Sequence, residues 1–364
     1  MVSQLPRQSA KRVLWALLKY VLAFGLLAVL IWRFWAPPGG HGLAFLWNKH
    51  VVQGVPIRWN FLALATGILA ISLLITFVRW YVLVRAQELP FTLFNAVRLG
   101  LVGYFFNIFL PGSVSGDVVK AAFLARDQSR RTVAVATVVM DRVLALWGLF
   151  WFVAVLGLVF WALGMLEPST QRITLVCAVL VGCSVPVWVL LGYLPAYRAE
   201  RFAERLGRLR KVGPAAAEFW RAVWMYRCRQ GSVAVTLLLA WVGHAGFVFA
   251  FYFSVLTLWS PEYGPIPSLA QHFLIVPLAL LVQAVPLFPS GVGVGEAGFG
   301  ALYAMLGSDP VVGVIGCLLS QRVLAWTLGL LGYGVSQCMG TGSPPAAATP
   351  AADPEPAPPR AVAV

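Results

Sequence analysis

Two interrupted apolar stretches decide how this chain is read: Phe109-Leu-Pro-Gly-Ser-Val-Ser-Gly-Asp117 and Phe288-Pro-Ser-Gly-Val-Gly-Val-Gly-Glu296. They sit inside longer apolar runs, residues 94–126 and 269–306. Each reads Phe, Pro, small residues, then a glycine followed by an acid. Proline removes a backbone donor and glycine frees the chain to leave helical geometry, so a helix does not continue through either. The segments beyond the breaks are short. At 1.5 Å per residue, 117–125 is about 14 Å long and 296–306 about 16 Å. A bilayer core is about 30 Å thick. Each stretch therefore reads as a re-entrant hairpin that enters, turns near mid-membrane and leaves on the same side. Such backbone is tolerable only inside protein or beside a watery cavity.

The rest of the chain agrees with a membrane setting. Of 364 residues, 60% are apolar and only 11% charged, against about 25% charged in soluble domains. That excludes an ordinary soluble enzyme. Six other runs are long enough to span: 13–35, 61–84, 133–164, 173–194, 232–259 and 311–337. The run 13–35 is too long for a signal peptide and no cleavage site follows it. The expected fold is all-α: a polytopic membrane protein of about six spanning helices and two re-entrant hairpins, eight hydrophobic elements in all. A β-barrel is excluded by the long continuous runs.

Charge orients the elements. With the N-terminus (1–12) in the cytoplasm, the inside segments 1–12, 85–98, 126–131 and 195–230 hold 17 Lys and Arg. The outside segments 36–60, 165–172, 260–267 and 308–310 hold 3. The positive-inside rule favours this arrangement, with both termini cytoplasmic. The basic loop 195–230 carries Phe202, Leu206 and Leu209 at helical spacing among arginines. That pattern suits either an interfacial helix or a solvated one. The Pro/Ala-rich end, 339–364, has too little apolar bulk to fold and reads as disordered. The five cysteines show no ligand spacing and read as free thiols.

The two interrupted stretches form part of a repeat. Downstream, Met140-Asp-Arg-Val-Leu-Ala-Leu-Trp147 matches Ser320-Gln-Arg-Val-Leu-Ala-Trp326. Arg142 follows Asp117 by 25 residues and Arg322 follows Glu296 by 26. The first hairpin enters from the cytoplasm and the second from outside, so halves 13–164 and 173–338 form an inverted-topology repeat. Interrupted segments at matching places in two inverted halves point to a transporter's binding site.

The candidate site follows from that placement. Gly112, Gly116, Gly291, Gly293 and Gly295 let a ligand approach backbone amides at half-helix ends, where a phosphate is favoured. Asn107 satisfies groups freed by the first break. Asp117 and Glu296 are either helix caps or functional acids. Arg142 and Arg322 lie near the midplane, where a charge faces a cavity or a partner. Arg142 has Asp141 or Asp117 for a partner, and Arg322 has Glu296. Arginine also grips phosphate bidentately, so both are expected to face one cavity and hold a phosphate in turn. Arg79 and Arg85 lie at the inner end of their helix and are expected to snorkel. His244 reads as a hydrogen-bonded structural histidine. No cofactor and no metal is expected.

Asn107-x-Phe109-Leu-Pro-Gly-x-x-x-Gly-Asp117, then Asp141-Arg142, then Gly291-x-Gly293-x-x-Glu296, resembles the flippase-like transmembrane domain of bacterial lysylphosphatidylglycerol synthases over residues 12–338. That family often has an arginine before the second acid, where Gly295 stands here. The complete synthases also carry a soluble aminoacyl-transferase domain, for which the short tail leaves no room. The resemblance implies lipid translocation without aminoacylation, in a cell inner membrane. It implies membrane lipids as partners, an anionic phospholipid or a polyprenyl phosphate, and no nucleic acid. No phosphate-binding loop for ATP is present. The chain is read as no enzyme. The competing readings are an integral-membrane lipid-modifying transferase, with Asp117, Asp141 and Glu296 as its acids, or an accessory subunit. As protein partners, a second copy of the chain or a lipid-synthesising enzyme is considered.

Overall fold

The computed structural model describes residues 7–37, 40–110, 114–166, 168–209, 213–227, 229–284 and 289–339. Gly112 and nearly all of the expected tail lie outside them. The described residues are helical and contain no strand. In chain order the helices are α1 (Arg7–Trp35), the short α2 (Leu43–Leu46), α3 (Trp59–Ala86), α4 (Leu93–Phe109) and α5 (Ser115–Arg126). Then come α6 (Arg131–Ala162), α7 (Pro168–Tyr193), α8 (Ala196–Gly207), α9 (Gly213–Tyr226) and α10 (Gln230–Leu258). The chain continues through α11 (Leu269–Ala284), α12 (Val294–Met305), α13 (Pro310–Cys317) and α14 (Ala325–Cys338). A π-helical segment, Leu318–Leu324, joins α13 to α14.

Among the described residues six helices are long and apolar enough to span: Leu17–Trp35, Trp59–Ala86, Arg131–Ala162, Thr170–Leu191, Gln230–Leu258 and Pro310–Cys338. They are the six expected spans, within a few residues. The interrupted stretches become two pairs of shorter helices, α4 with α5 and α11 with α12. Some helix starts are set locally. The Thr92 hydroxyl accepts from the Asn95 amide at 3.2 Å and caps α4. Asp309 accepts from the Val311 amide at 2.9 Å and caps α13, with Pro310 in its first turn.

The broadest helix contact in the molecule is α3 on α10. Around that pair the contacts are reciprocal: α4 lies on α14, and α11 lies on α6. The interior is built from close approaches and aromatic stacking. Phe251 of α10 stacks on Phe299 of α12 with centroids 4.1 Å apart and planes 14° from parallel. Outward faces stay apolar: Trp32, Ile71, Val187 and Leu238 are all exposed. In water each would forfeit about 1.5–3 kcal/mol of burial, whereas lipid tails solvate them.

Helix α1 is peripheral but crosses both interruptions. Tyr20 donates its hydroxyl to the carbonyl of Phe109 at 2.6 Å, where α4 ends. Leu26 packs against Gly293, at the start of α12. Between them Ala23 is fully buried. Tyr20 and Leu26 are about 9 Å apart along the helix axis, so both breaks lie against the middle of α1.

Within the stretch 195–230, α8 and α9 pack on one another. Phe202 of α8 packs edge-on to Trp220 of α9, 4.6 Å between centroids, and Arg221 donates to Glu200 at 2.6 Å. That hydrogen bond holds the Glu200 carboxyl below its ordinary range. Helix α9 leans on α6.

Candidate functional site

The first half brings three charges together. Asp117 occupies the first turn of α5. Lys120, one turn on, meets it at 2.9 Å, and Arg142 of α6 donates to its other oxygen at 2.5 Å. Two cations thus share one carboxylate, leaving one positive charge in excess. Lys120 also stands 5.1 Å from the Trp80 ring centre, a geometry that favours a cation over an aromatic face.

Glycines make this approach possible at one point. A Cβ on Gly116 would stand 1.7 Å from the Gly103 carbonyl oxygen, and one on Gly103 would meet the Lys120 stem at 2.6 Å. Helix α5 therefore lies directly on α4. Asn107 accepts the Gly116 amide at 2.8 Å, the role expected of it. Asp117 makes no side-chain cap on α5, because both its oxygens are spent on Lys120 and Arg142.

Asp141 is not part of this cluster. It receives Nε of Arg79 at 2.8 Å, with both side chains 7% exposed. The expectation that Arg79 snorkels is corrected. It lies two turns inside α3, facing α6, and neutralises a buried acid there. Arg85 instead donates to the Leu89 carbonyl at 3.3 Å. His244 meets the Ala145 carbonyl at 3.2 Å, as a structural histidine does.

The second half repeats the pair and closes it. Arg322 donates through Nε to Glu296 at 2.7 Å and through Nη2 to its other oxygen at 3.1 Å. It also donates to the carbonyls of Ser290 and Gly291, each at 3.1 Å. Glu296 is fully buried and accepts the Gly293 amide at 2.8 Å, so it is at once ion-pair partner and cap. The turn it braces is strained. Ser290 has φ 49°, Gly291 62° and Gly293 82°, and a serine in that region costs energy that the Arg322 bonds offset. Gly295 faces Gln283, whose amide nitrogen would stand 2.7 Å from a Cβ there. Beside Gly116, Gly291, Gly293 and Gly295, the side where a Cβ would stand is occupied by protein.

The offsets of 25 and 26 residues now have a physical reading. The π-helical segment holds Arg322, and a wider turn absorbs one extra residue without moving the guanidinium off its acid.

The halves differ in access. The Arg142 side chain is 32% exposed and that of Arg322 only 7%. Arg142 and Asp117 line a cleft of about 380 Å³ whose other walls are Val114, Val118, Ala121, Val135, Val138, Val139, Val143 and Leu146. It is an apolar slot with a charged end. Among the described residues no group of His, Cys, Asp and Glu converges as a metal site. Sequence reasoning missed Lys120; its only signal was a spacing of three from Asp117.

The family model described as "Lysylphosphatidylglycerol synthase TM region" matches residues 17–332. The chain is also similar to UPF0104 membrane protein PH1989 of Pyrococcus horikoshii, at 23% identity over 320 residues, 80% of this chain and 91% of that protein. The chain belongs to the lysylphosphatidylglycerol synthase transmembrane-region family, a family of multi-pass membrane proteins linked by name to lipid.

Proposed function

We propose that this member of the lysylphosphatidylglycerol synthase transmembrane-region family is a lipid flippase-like transporter. It moves a phospholipid or polyprenyl-phosphate-linked headgroup between leaflets, with the phosphate on Arg142 and Lys120 and the tails in the bilayer. The observation that carries this is the uncompensated charge: Asp117 neutralises one of its two cations, and two of the three groups, Asp117 and Arg142, line an apolar cleft. A lone cation at helix centre costs about 2.5–3.5 kcal/mol on insertion scales. A phosphate entering the cleft offsets that cost, and charge-assisted bonds to it are worth about 1.5–3 kcal/mol each.

The re-entrant, inverted arrangement completes the reading. The contact of both breaks with the middle of α1 and the reciprocal α4–α14 and α11–α6 contacts support it. The 17-to-3 charge split supports cytoplasmic termini. In this conformation the phosphate role falls to Arg142, and Arg322 holds the second turn in shape. Alternation between the arginines would require the Glu296 pair to open.

Reconstitution tests the reading. The purified chain in liposomes with headgroup-labelled phosphatidylglycerol should speed transfer between leaflets and leave lipid masses unchanged. A new lipid species would favour the transferase instead.

A further inference from the structure

Arg142 and Arg322 stand at matching places but spend their guanidinium groups differently. Arg322 sets its Nε and Nη2 on the two oxygens of Glu296, at 2.7 and 3.1 Å, and its Nη1 on the Ser290 carbonyl. Each of its three nitrogens is in use. Arg142 makes one hydrogen bond, through Nη1 to Asp117. Among the described residues no acceptor meets its Nε or Nη2. The edge that a carboxylate closes in the second half is thus unpaired in the first, on a side chain that lines the apolar cleft.

An arginine edge of this kind takes two oxygens of one anion side by side. The charge around it can be counted. Lys120 cancels Asp117, at 2.9 Å, and the charge of Arg142 is left over. The edge therefore calls for a group with two equivalent oxygens and one negative charge. A phosphodiester is such a group, since its two non-ester oxygens share a single charge. A phosphate monoester carries about −1.5 to −2 at pH 7 and leaves the site negative. A zwitterionic headgroup leaves it positive, because its ammonium finds both Asp117 oxygens taken. Residual charge at this depth is costly.

We infer that the Nε and Nη2 edge of Arg142 binds the two non-ester oxygens of a phosphodiester lipid with one net negative charge, and that Lys120 selects that charge by cancelling Asp117. The inference rests on the proposed lipid role of this site and deepens it, by naming which lipids the site takes.

The test uses the full chain in phosphatidylcholine vesicles doped with equal amounts of phosphatidylglycerol, phosphatidic acid and phosphatidylethanolamine. The buffer is held at about pH 8, above the second phosphate pKa of about 6. After mild extraction, the lipids retained on the chain are counted by native mass spectrometry. Phosphatidylglycerol should exceed each of the other two by about tenfold, the worth of one charge-assisted hydrogen bond. Arg142→Gln should abolish the excess. Asp117→Asn raises the local sum to two positive charges and should turn the preference toward phosphatidic acid. Lys120→Met lowers the sum to zero and should erase the advantage over phosphatidylethanolamine, which keeps the test open if the asparagine variant does not fold. Equal retention of the three lipids by the wild type would overturn the inference, as would a preference that ignores both charge changes. Displacement of phosphatidylglycerol by equimolar oleate would overturn it too, by assigning the edge to a carboxylate. Leaflet transfer separates the two claims. Selective retention without transfer would leave the inference standing and remove the transporter, whereas transfer blind to headgroup charge would do the reverse.

Discussion

Lys120 and Phe299 hold the same place in the two halves, each three residues after the acid of its turn, and the exchange separates an open site from a closed one. Lys120, buried against Trp80, reaches back to Asp117 at 2.9 Å and adds a charge to the acid that lines the cleft. Phe299 turns into the core, fully buried, and stacks on Phe251. One half therefore carries surplus charge at an apolar slot, and the other carries a neutral, braced turn.

Lys120→Met tests the surplus directly. It removes the extra charge and leaves Asp117 paired with Arg142, so the chain should fold with undiminished yield. Lipid transfer should fall about 10-fold or more, the value of one charge-assisted hydrogen bond. Wild-type transfer rates in liposomes would show that Lys120 contributes nothing to the ligand.

The second pair should behave as structure. Arg322→Gln strands a buried carboxylate, at a cost of about 3–5 kcal/mol. Thermal unfolding in detergent should show a marked fall in midpoint. Adding Glu296→Gln should recover part of it, since no charge is then left alone. An unchanged midpoint in the single variant would contradict the bracing role.

Gly116→Ala should separate α4 from α5. Its methyl would collide with the Gly103 carbonyl oxygen, and overpacking of this kind costs about 1–3 kcal/mol. Lower folded yield, read by size-exclusion chromatography, is expected. A normal profile would mean that the two helices part easily.

Orientation can be read by labelling. In a background without the five native cysteines, Leu209→Cys should react only after permeabilisation. Asp309→Cys should react in intact cells with a membrane-impermeant reagent. Reaction of both from one side would break the inverted arrangement.

The six spans were legible because each is a long apolar run whose length the bilayer fixes. The pairs were half legible. Arg322 with Glu296 and Arg142 with Asp117 follow from their matched spacing, but the sequence left Asp141 as an equal partner for Arg142. That choice was settled by Arg79, which looked like a helix-end residue until α3 was packed on α6. Lys120 lies one turn from Asp117, a spacing common on any helix. Its burial comes from α4, through the missing side chain of Gly103, and no local pattern reports that.

The central claim is that Arg142 binds lipid phosphate. Transfer of headgroup-labelled phosphatidylglycerol in liposomes should be compared for the wild type and Arg142→Gln at matched protein content. The account predicts a loss of about 10-fold or more for the variant, with normal insertion and unchanged lipid masses. Full transfer by a well-folded Arg142→Gln would contradict it.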